Sequence, residues 1–275
     1  MNIIKNTLNI GVEKPFTFLV ISDIHLSETD ERDSAERASF AADRKNMFSY
    51  APSFMEAVKA YVKETGYPIF NTGDMLDFIT PENIRIAREL MEETGMVLAA
   101  GNHEYWHCPK NRFSFDDVPE TYEKKNESLA AVEAGLGMDI RFSCREIGGV
   151  NFVCMDDGDY DIDEDIFEKF KAVEAEGKPI LLFMHIPLYS RHIPERDQKY
   201  TLCAPEKFFE GCHPVDVFER RPEPATPAMV AYIRSCPLVK CVFSGHTHHS
   251  VEVLGMGEMD QIITGLETIR EITVT

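Results

Sequence analysis

Five short apolar segments alternate with segments of helical periodicity along most of this 275-residue chain. The apolar segments are residues 16–21, 68–70, 96–100, 180–184 and 239–243. Runs of this length and composition are typical of strands that are buried on both faces. Because the strands are separated by helices, the pattern predicts an α/β fold.

Apolar residues recur at helical spacing in four of the intervening segments. These segments are residues 54–66, 80–95, 166–177 and 226–233. Gly66 stands where a helix C-cap is expected, and Thr80-Pro81 has the form of an N-cap followed by a first-turn proline. The sequence therefore predicts helices that end and begin at these residues.

Two regions interrupt the alternation. Residues 27–49 are polar and charged, and residues 189–224 are rich in proline, arginine, glutamate and aromatic side chains. Long connections within a compact domain are usually functional loops or disordered. Since no repeat or low-complexity linker is visible, we predict one domain over residues 1–275 with substrate-shaping insertions near 27–49 and 189–224.

The chain is strongly acidic, with 47 Asp and Glu against 28 Lys and Arg and a net charge of −19. This charge disfavours binding to nucleic acids or to anionic membranes, which both require a basic face. The apolar runs are far shorter than the roughly 20 residues of a membrane span, and the N-terminus lacks a secretory leader pattern. We expect a cytoplasmic protein without a membrane span, and the sequence leaves the oligomeric state open.

The seven cysteines have no regular spacing and form no C-x-x-C pair. This usage is typical of reduced thiols in a reducing compartment. A zinc site formed by Cys203, Cys212 and His213 is the alternative, although no second closely spaced pair of ligands supports it.

Residues able to bind metals or catalyse reactions follow each of the five apolar runs. In chain order they are Asp23-x-His25, Gly73-Asp74 with Asp77, Gly101-Asn102-His103-Glu104, His185, and Gly245-His246-x-His248. Open α/β sheets bind ligands outside the carboxyl ends of their strands. Each motif alone is typical of a turn or a loop cap, but the ordered set indicates one functional site.

The ordered set resembles the motifs of the calcineurin-like metallophosphoesterase superfamily, and it spans most of the chain. The resemblance implies a four-layer α/β/β/α sandwich, in which two mixed sheets are flanked by helices and a dinuclear metal centre lies at the strand ends. One metal site resembles a set of Asp23, His25, Asp74 and His248. The other resembles a set of Asp74, Asn102, His185 and His246, so that Asp74 bridges the two.

The same resemblance implies roles for two further residues. His103 matches the histidine that donates a proton to the leaving group, and Asp77 matches the carboxylate that orients it. The arginine that usually follows this carboxylate is absent, because position 78 is Phe. A phosphate clamp from that motif is therefore not expected.

The implied reaction is hydrolysis of a phosphodiester or phosphomonoester by in-line attack of a metal-activated hydroxide. Two divalent ions would outweigh the charges of Asp23 and Asp74, so a small phosphoester could bind to an otherwise acidic protein. Imidazole, carboxylate and amide ligands suit manganese, iron, zinc or nickel and do not single out one of them. A non-catalytic scaffold and a DNA nuclease of the same superfamily are the alternatives.

Four residues near the motifs are candidates for substrate contacts. Tyr105 and Trp106 follow His103 closely, and Arg191 and His192 follow His185. The acidic tract 156–161 resembles a calcium loop only superficially, because the glutamate at loop position twelve and a preceding helix are missing. We expect this tract to be a solvated loop.

Overall fold

The computed structural model describes residues 1–106, 122–210 and 225–275. Its strands are β1 (Asn2–Leu8), β2 (Phe16–Ile21), β3 (Ile69–Asn71), β4 (Val97–Leu98), β5 (Phe142–Ile147), β6 (Val150–Met155), β7 (Ile180–Phe183), β8 (Val239–Ser244), β9 (Val251–Val253), β10 (Gln261–Ile263) and β11 (Thr268–Val274). All five predicted strands are present, and β4 is shorter than its apolar run.

The helices begin with α1 (Ala35–Met47), which lies inside the polar region 27–49. The others are α2 (Ala51–Thr65), α3 (Pro81–Thr94), α4 (Tyr122–Leu136), α5 (Glu164–Glu174), α6 (Glu195–Gln198) and α7 (Thr226–Ser235), with short 3₁₀ turns at Asn102–Tyr105 and Glu206–Phe209. No helix in these ranges is long and apolar enough to cross a membrane.

The predicted helix ends are confirmed where cap residues specify them. Gly66 follows α2 with φ +66°, a left-handed conformation that glycine adopts without steric cost. The hydroxyl of Thr80 accepts a hydrogen bond from the amide of Asn83 and so caps α3. Helix α7 begins at Thr226 with Ala225 as the N-cap residue, and the Thr226 hydroxyl accepts a hydrogen bond from the amide of Ile162.

The strands form two mixed sheets, as the fold resemblance implied. The first has the order β1-β11-β2-β3-β4, and β2, β3 and β4 are parallel. The second has the order β5-β6-β7-β8-β10-β9, and β6, β7, β8 and β10 are parallel. Parallel neighbours place their carboxyl ends at the same edge of a sheet, which is the geometry that gathers the motifs.

Alternate side chains of a strand point to opposite faces, so the buried strands pack against neighbouring layers on both sides of their sheet. Phe18 and Val20 of β2 pack between the sheets, whereas Leu19 and Ile21 pack in the cluster that includes residues of α2, α3 and α4. The space between the sheets contains an aromatic cluster of Phe18, Phe70, Phe152, Phe183 and Phe243. On the far side of the second sheet, α5 and α7 complete a four-layer sandwich.

Part of the sequence interpretation lies outside the described residues. Cys212 and His213 of the alternative zinc site fall there, as do residues 211–224 of the second predicted insertion. The division of the chain into one domain with insertions stays a prediction.

Candidate metal centre

The motif side chains converge at the carboxyl ends of five strands. Asp23 and His25 follow β2, Asp74 follows β3, Asn102 and His103 follow β4, His185 follows β7, and His246 and His248 follow β8. Five of these residues have a positive φ between 54° and 64°, a conformation that residues other than glycine rarely adopt: Asp23, His25, Asp74, His246 and His248. Such backbone strain clusters at functional sites, because the surrounding structure must impose it.

Asp23, His25, Asp74 and His248 lie together in the first candidate site. Nε2 of His25 lies 3.1 Å from Nε2 of His248 and 3.7 Å from a carboxylate oxygen of both Asp23 and Asp74. Nε2 of His248 lies 3.5 Å from Asp23. His248 is the partly exposed member, whereas the other three side chains are buried.

Asp74, Asn102, His185 and His246 lie together in the second candidate site. Nε2 of His185 lies 3.2 Å from Oδ2 of Asp74, 3.1 Å from Oδ1 of Asn102 and 3.2 Å from Nδ1 of His246. The structure therefore brings all seven predicted metal ligands into two adjacent clusters, with Asp74 between them. His103 also lies near His25 and Asp74, within 4.8 Å by ligand atoms.

Hydrogen bonds behind the histidines direct their ring nitrogens. Nδ1 of His25 contacts Oδ1 of Asp77 at 3.0 Å, and Nδ1 of His185 contacts the main-chain carbonyl of Thr72 at 2.8 Å. Since both partners are acceptors, Nδ1 carries the proton in each ring. Nε2 then points into the cluster, as in histidines whose second nitrogen is oriented for metal binding.

The electrostatics of the clusters favour positive charge at their centres. Burial would raise the pKa of Asp74, but His185, His103 and His25 outweigh it and hold that pKa well below its usual range. Burial would lower the pKa of His25, but Asp23 and Asp77 raise it to about 9. Buried carboxylates that favour a cation, together with imidazole and amide donors at short range, fit metal ions.

Glu104 joins the loop that carries Asp74 to the loop that carries Asn102. Its carboxylate accepts hydrogen bonds from the amides of Asp74, Gly101 and Leu76 at 2.9, 2.7 and 3.0 Å. Burial, with the nearby Asp74 charge, raises the pKa of Glu104 to about 7. Gly101 is required in this contact, because a Cβ there would lie 2.6 Å from the Asp74 amide nitrogen.

His103 is oriented mainly by the main chain. Its Nδ1 lies 2.6 Å from the carbonyl oxygen of Asp77 and 3.4 Å from Oδ1 of the Asp77 carboxylate. The carboxylate is occupied by Arg44 of α1, which donates through Nε and Nη2 at 2.6 and 2.5 Å, and by His25. Burial lowers the pKa of His103 despite the charge of Asp74. The Asp77 carboxylate is thus closer to His25, a predicted metal ligand, than to His103, the predicted proton donor.

The four candidate substrate residues occupy different environments. Tyr105 is 2% exposed and packs in the core, which disfavours a substrate contact. Trp106 is partly buried, and its ring lies 4.1 Å from that of His103. Arg191 is exposed and contacts Glu258 and His192, and His192 also contacts Glu258, which belongs to neither cluster.

The expectation of a solvated acidic tract at 156–161 is wrong. The carboxylate of Asp157 is buried and accepts hydrogen bonds from the amides of His185 and Ile186. The hydroxyl of Tyr160 lies 2.6 Å from Nε2 of His246. The tract therefore packs behind the second site. Its buried acidic groups accept hydrogen bonds there from protein donors in place of water.

A buried lysine compensates the charge of the same tract. Nζ of Lys125 lies 2.6 Å from Asp159 and 3.3 Å from Asp156, and it sits 5.3 Å from the centre of the Tyr105 ring. Burial would lower the pKa of Lys125, but these carboxylates hold it above its usual range. Neither Lys125 nor the burial of the tract is visible in a local sequence pattern.

Sequence reasoning also missed four residues around the sites, namely Arg44, Phe48, Tyr50 and Tyr160. The Phe48 ring is stacked on that of His25 at 4.1 Å, and the Tyr50 hydroxyl donates to the carbonyl of Asp23 at 2.7 Å. The only sequence signal was that the polar region 27–49 interrupts the alternation directly after a ligand motif.

The model of the calcineurin-like phosphoesterase family matches residues 16–250, which include every motif residue described above. The chain belongs to the calcineurin-like phosphoesterase family. No curated protein matches the chain in a sequence comparison.

Solved structures with this fold include a putative 5′-nucleotidase from Staphylococcus aureus and a purple acid phosphatase from yellow lupin. Each is 11% identical with a TM-score of 0.51, and the matches cover 94% and 92% of this chain but only 51% and 44% of those proteins. A dimetal phosphatase from Danio rerio is 15% identical over 91% of this chain and 87% of its own, with a TM-score of 0.47. At 11% identity, the similarity to the nucleotidase and the purple acid phosphatase establishes the fold alone.

Proposed function

We propose that the protein is a metal-dependent phosphoesterase that hydrolyses a phosphodiester or a phosphomonoester at a dinuclear centre. The observation that carries this proposal is the position of Asp74. Its Oδ2 lies 3.7 Å from Nε2 of His25 and 3.2 Å from Nε2 of His185, so one carboxylate serves both clusters. Asp23 and His248 would complete the first site. Asn102, His185 and His246 would complete the second.

Two ions bound there would activate water and stabilise the attacking and leaving oxygens of an in-line displacement. The residue of this chain that would transfer a proton to the departing oxygen is His103. Its Nδ1 is held by the Asp77 carbonyl, so Nε2, 4.0 Å from Asp74, is the atom that holds or transfers a proton. The Trp106 ring beside it limits its movement. Protonation of the departing oxygen typically contributes 10²–10⁴-fold to such reactions.

The proposed substrate is a small phosphoester rather than a nucleic acid. The net charge of −19 repels extended polyanions, whereas bound cations would reverse the charge only locally. Manganese is one candidate among several ions that the mixed ligand set suits. A cytoplasmic location is part of the same proposal and rests on sequence composition.

The test is hydrolysis of bis-p-nitrophenyl phosphate and p-nitrophenyl phosphate by purified protein with added Mn²⁺, Fe²⁺, Zn²⁺ or Ni²⁺. We expect turnover that depends on the ion and is abolished in Asp74→Asn. The matched control is Asp139→Asn, because Asp139 is a half-exposed aspartate whose carboxylate accepts hydrogen bonds from the amides of Arg141 and Phe142 and belongs to neither cluster. Absence of metal-dependent turnover on a wide panel of phosphoesters would overturn the proposal.

Metal analysis separates the enzyme from its alternatives. A phosphoesterase of this design should bind about two ions per chain, one at each cluster. In two-metal sites the ions lie roughly 3.5–4 Å apart. A scaffold that only retains the fold should bind well under two. Assays on single- and double-stranded DNA would identify a nuclease.

A further inference from the structure

The guanidinium of Arg44 lies behind the first site and is bound to a single carboxylate. Nε and Nη2 contact the two oxygens of Asp77 at 2.6 and 2.5 Å, which is a bidentate pair. Nη1 lies 3.6 Å from the sulfur of Met47 on the same helix. The donors of Arg44 are thus directed to Asp77 and to its own helix, and this arrangement does not suit a phosphate clamp.

Asp77 in turn contacts a predicted metal ligand. Its Oδ1 lies 3.0 Å from Nδ1 of His25, and its Oδ2 accepts a hydrogen bond from Ser27 at 3.1 Å. The Asp77 carboxylate is buried. A buried carboxylate needs hydrogen-bond donors, and Arg44 supplies two that hold the Asp77 carboxylate in place against the His25 ring.

The chain just after Arg44 reinforces the same arrangement. The Phe48 ring is stacked on His25 at 4.1 Å with an interplanar angle of 10°, and the Arg44 guanidinium lies 4.9 Å from the centre of the Phe48 ring. The Tyr50 hydroxyl donates to the carbonyl of Asp23. Helix α1 and the turn after it therefore contact two of the ligands of the first site, in addition to Asp77.

We propose that Arg44 is a positioning residue which, through Asp77, fixes the ring of His25 and thereby sets the affinity of the first site for its ion. The region 27–49 then acts on the metal centre, in contrast to the substrate-shaping role that its sequence suggested. This inference rests on the proposed dinuclear centre. The orienting contacts of metal-binding histidines typically change metal affinity by about 10- to 100-fold when they are removed.

The experiment compares Arg44→Gln with Arg37→Gln by titrating metal-free protein with Mn²⁺ in a calorimeter. Arg37 lies on the same helix and pairs with Asp33, so it controls for loss of a helical arginine. In Arg44→Gln we expect one of the two ions to bind about 10- to 100-fold more weakly while the other is unaffected. Arg37→Gln should bind both ions as the wild type does. Wild-type isotherms for Arg44→Gln would overturn the proposal.

Arg44→Lys keeps the charge but cannot form the bidentate pair, so it should show an intermediate loss. If Arg44→Gln does not fold, Arg44→Lys still tests the proposal. Thermal unfolding of the metal-free protein shows whether each variant folds. An isotherm for Arg44→Lys identical to that of the wild type would then overturn the bidentate mechanism.

A double variant tests the route through Asp77. In an Asp77→Asn background, Arg44→Gln should cause little additional loss of affinity, because contacts in one chain of interactions are not additive. Fully additive losses of metal affinity would show that Arg44 does not act through Asp77. Metal binding and hydrolysis are separate readouts. A wild-type chain that binds two ions but cleaves no phosphoester overturns only the proposed function, and one that binds no ion overturns both.

Discussion

The phenolic oxygen of Tyr160 lies 2.6 Å from Nε2 of His246, on the side of the imidazole opposite the second cluster. Nδ1 of His246 is the atom that faces His185, at 3.2 Å. Tyr160 therefore orients the ring of His246, as the main-chain carbonyl of Thr72 orients the ring of His185. Because Tyr160 belongs to the acidic tract 156–161, the second candidate site is supported by a segment that contains no predicted metal ligand.

Replacing Tyr160 by Phe should weaken binding at the second site. The ring is retained while the hydroxyl that orients His246 is lost, so we expect about 10- to 100-fold weaker binding of one ion. Titration of metal-free protein with Mn²⁺ measures this effect. Tyr232→Phe is the matched control, because the exposed Tyr232 contacts Glu174 far from the clusters. Two unchanged affinities in Tyr160→Phe would contradict the prediction.

Metal binding should release protons. The carboxylates raise the pKa of His25 to about 9 and that of His185 to about 10, although burial opposes both shifts. At about pH 7.5 the metal-free rings are therefore protonated on Nε2, and an ion must displace these protons. The apparent affinity should rise with pH until it passes these pKa values, and level off above them.

Calorimetric titrations in PIPES and in Tris measure the released protons, since the two buffers differ in ionisation enthalpy. We expect about two protons per chain at about pH 7.5 and fewer as the pH approaches 10. The same titrations of His185→Ala should show about one proton fewer. Equal heats in the two buffers would show that the histidines are neutral before the ions bind.

The His103→Ala variant should discriminate between leaving groups. An alkyl phosphoester needs its departing oxygen protonated, so its turnover should fall by about 10²–10⁴-fold. The p-nitrophenyl esters need little protonation and should lose much less. His249→Ala is the control, because His249 is exposed and pairs with Asp197. Equal losses on both kinds of ester would remove His103 as the proton donor.

Lys125→Met should destabilise the fold of metal-free protein. Removing Nζ leaves the buried Asp156 and the neighbouring Asp159 without their nearest cation, and breaking a buried pair typically costs about 3–5 kcal/mol. Urea unfolding measures this loss. Lys178→Met, which removes an exposed lysine paired with Glu146 and Glu176, should change stability little. Similar midpoints for the two variants would show that the Lys125 pair adds no stability.

Some strands were beyond prediction from the sequence. The paired strands β1 and β11 lie at opposite ends of the chain, and polar residues interrupt the apolar ones in β1, β5 and β11, so none of these strands produces a long apolar run. Helix α1 was missed for a similar reason. Ala41 is its only fully buried residue, which leaves no apolar stripe to reveal its period.

The sequence by itself determined the five strands that precede the motifs, the capped helices and the metal-ligand motifs. Each of these depends on residues close together in the chain: an apolar run, a cap, or a motif directly after a strand. Only the tertiary structure decided which residues stand behind the ligands. Arg44 and Asp77 are 33 positions apart, and Tyr160 and His246 are 86 apart. Such contacts exist only once α1 and the acidic tract have packed against the sheet edges, and no local pattern encodes that packing.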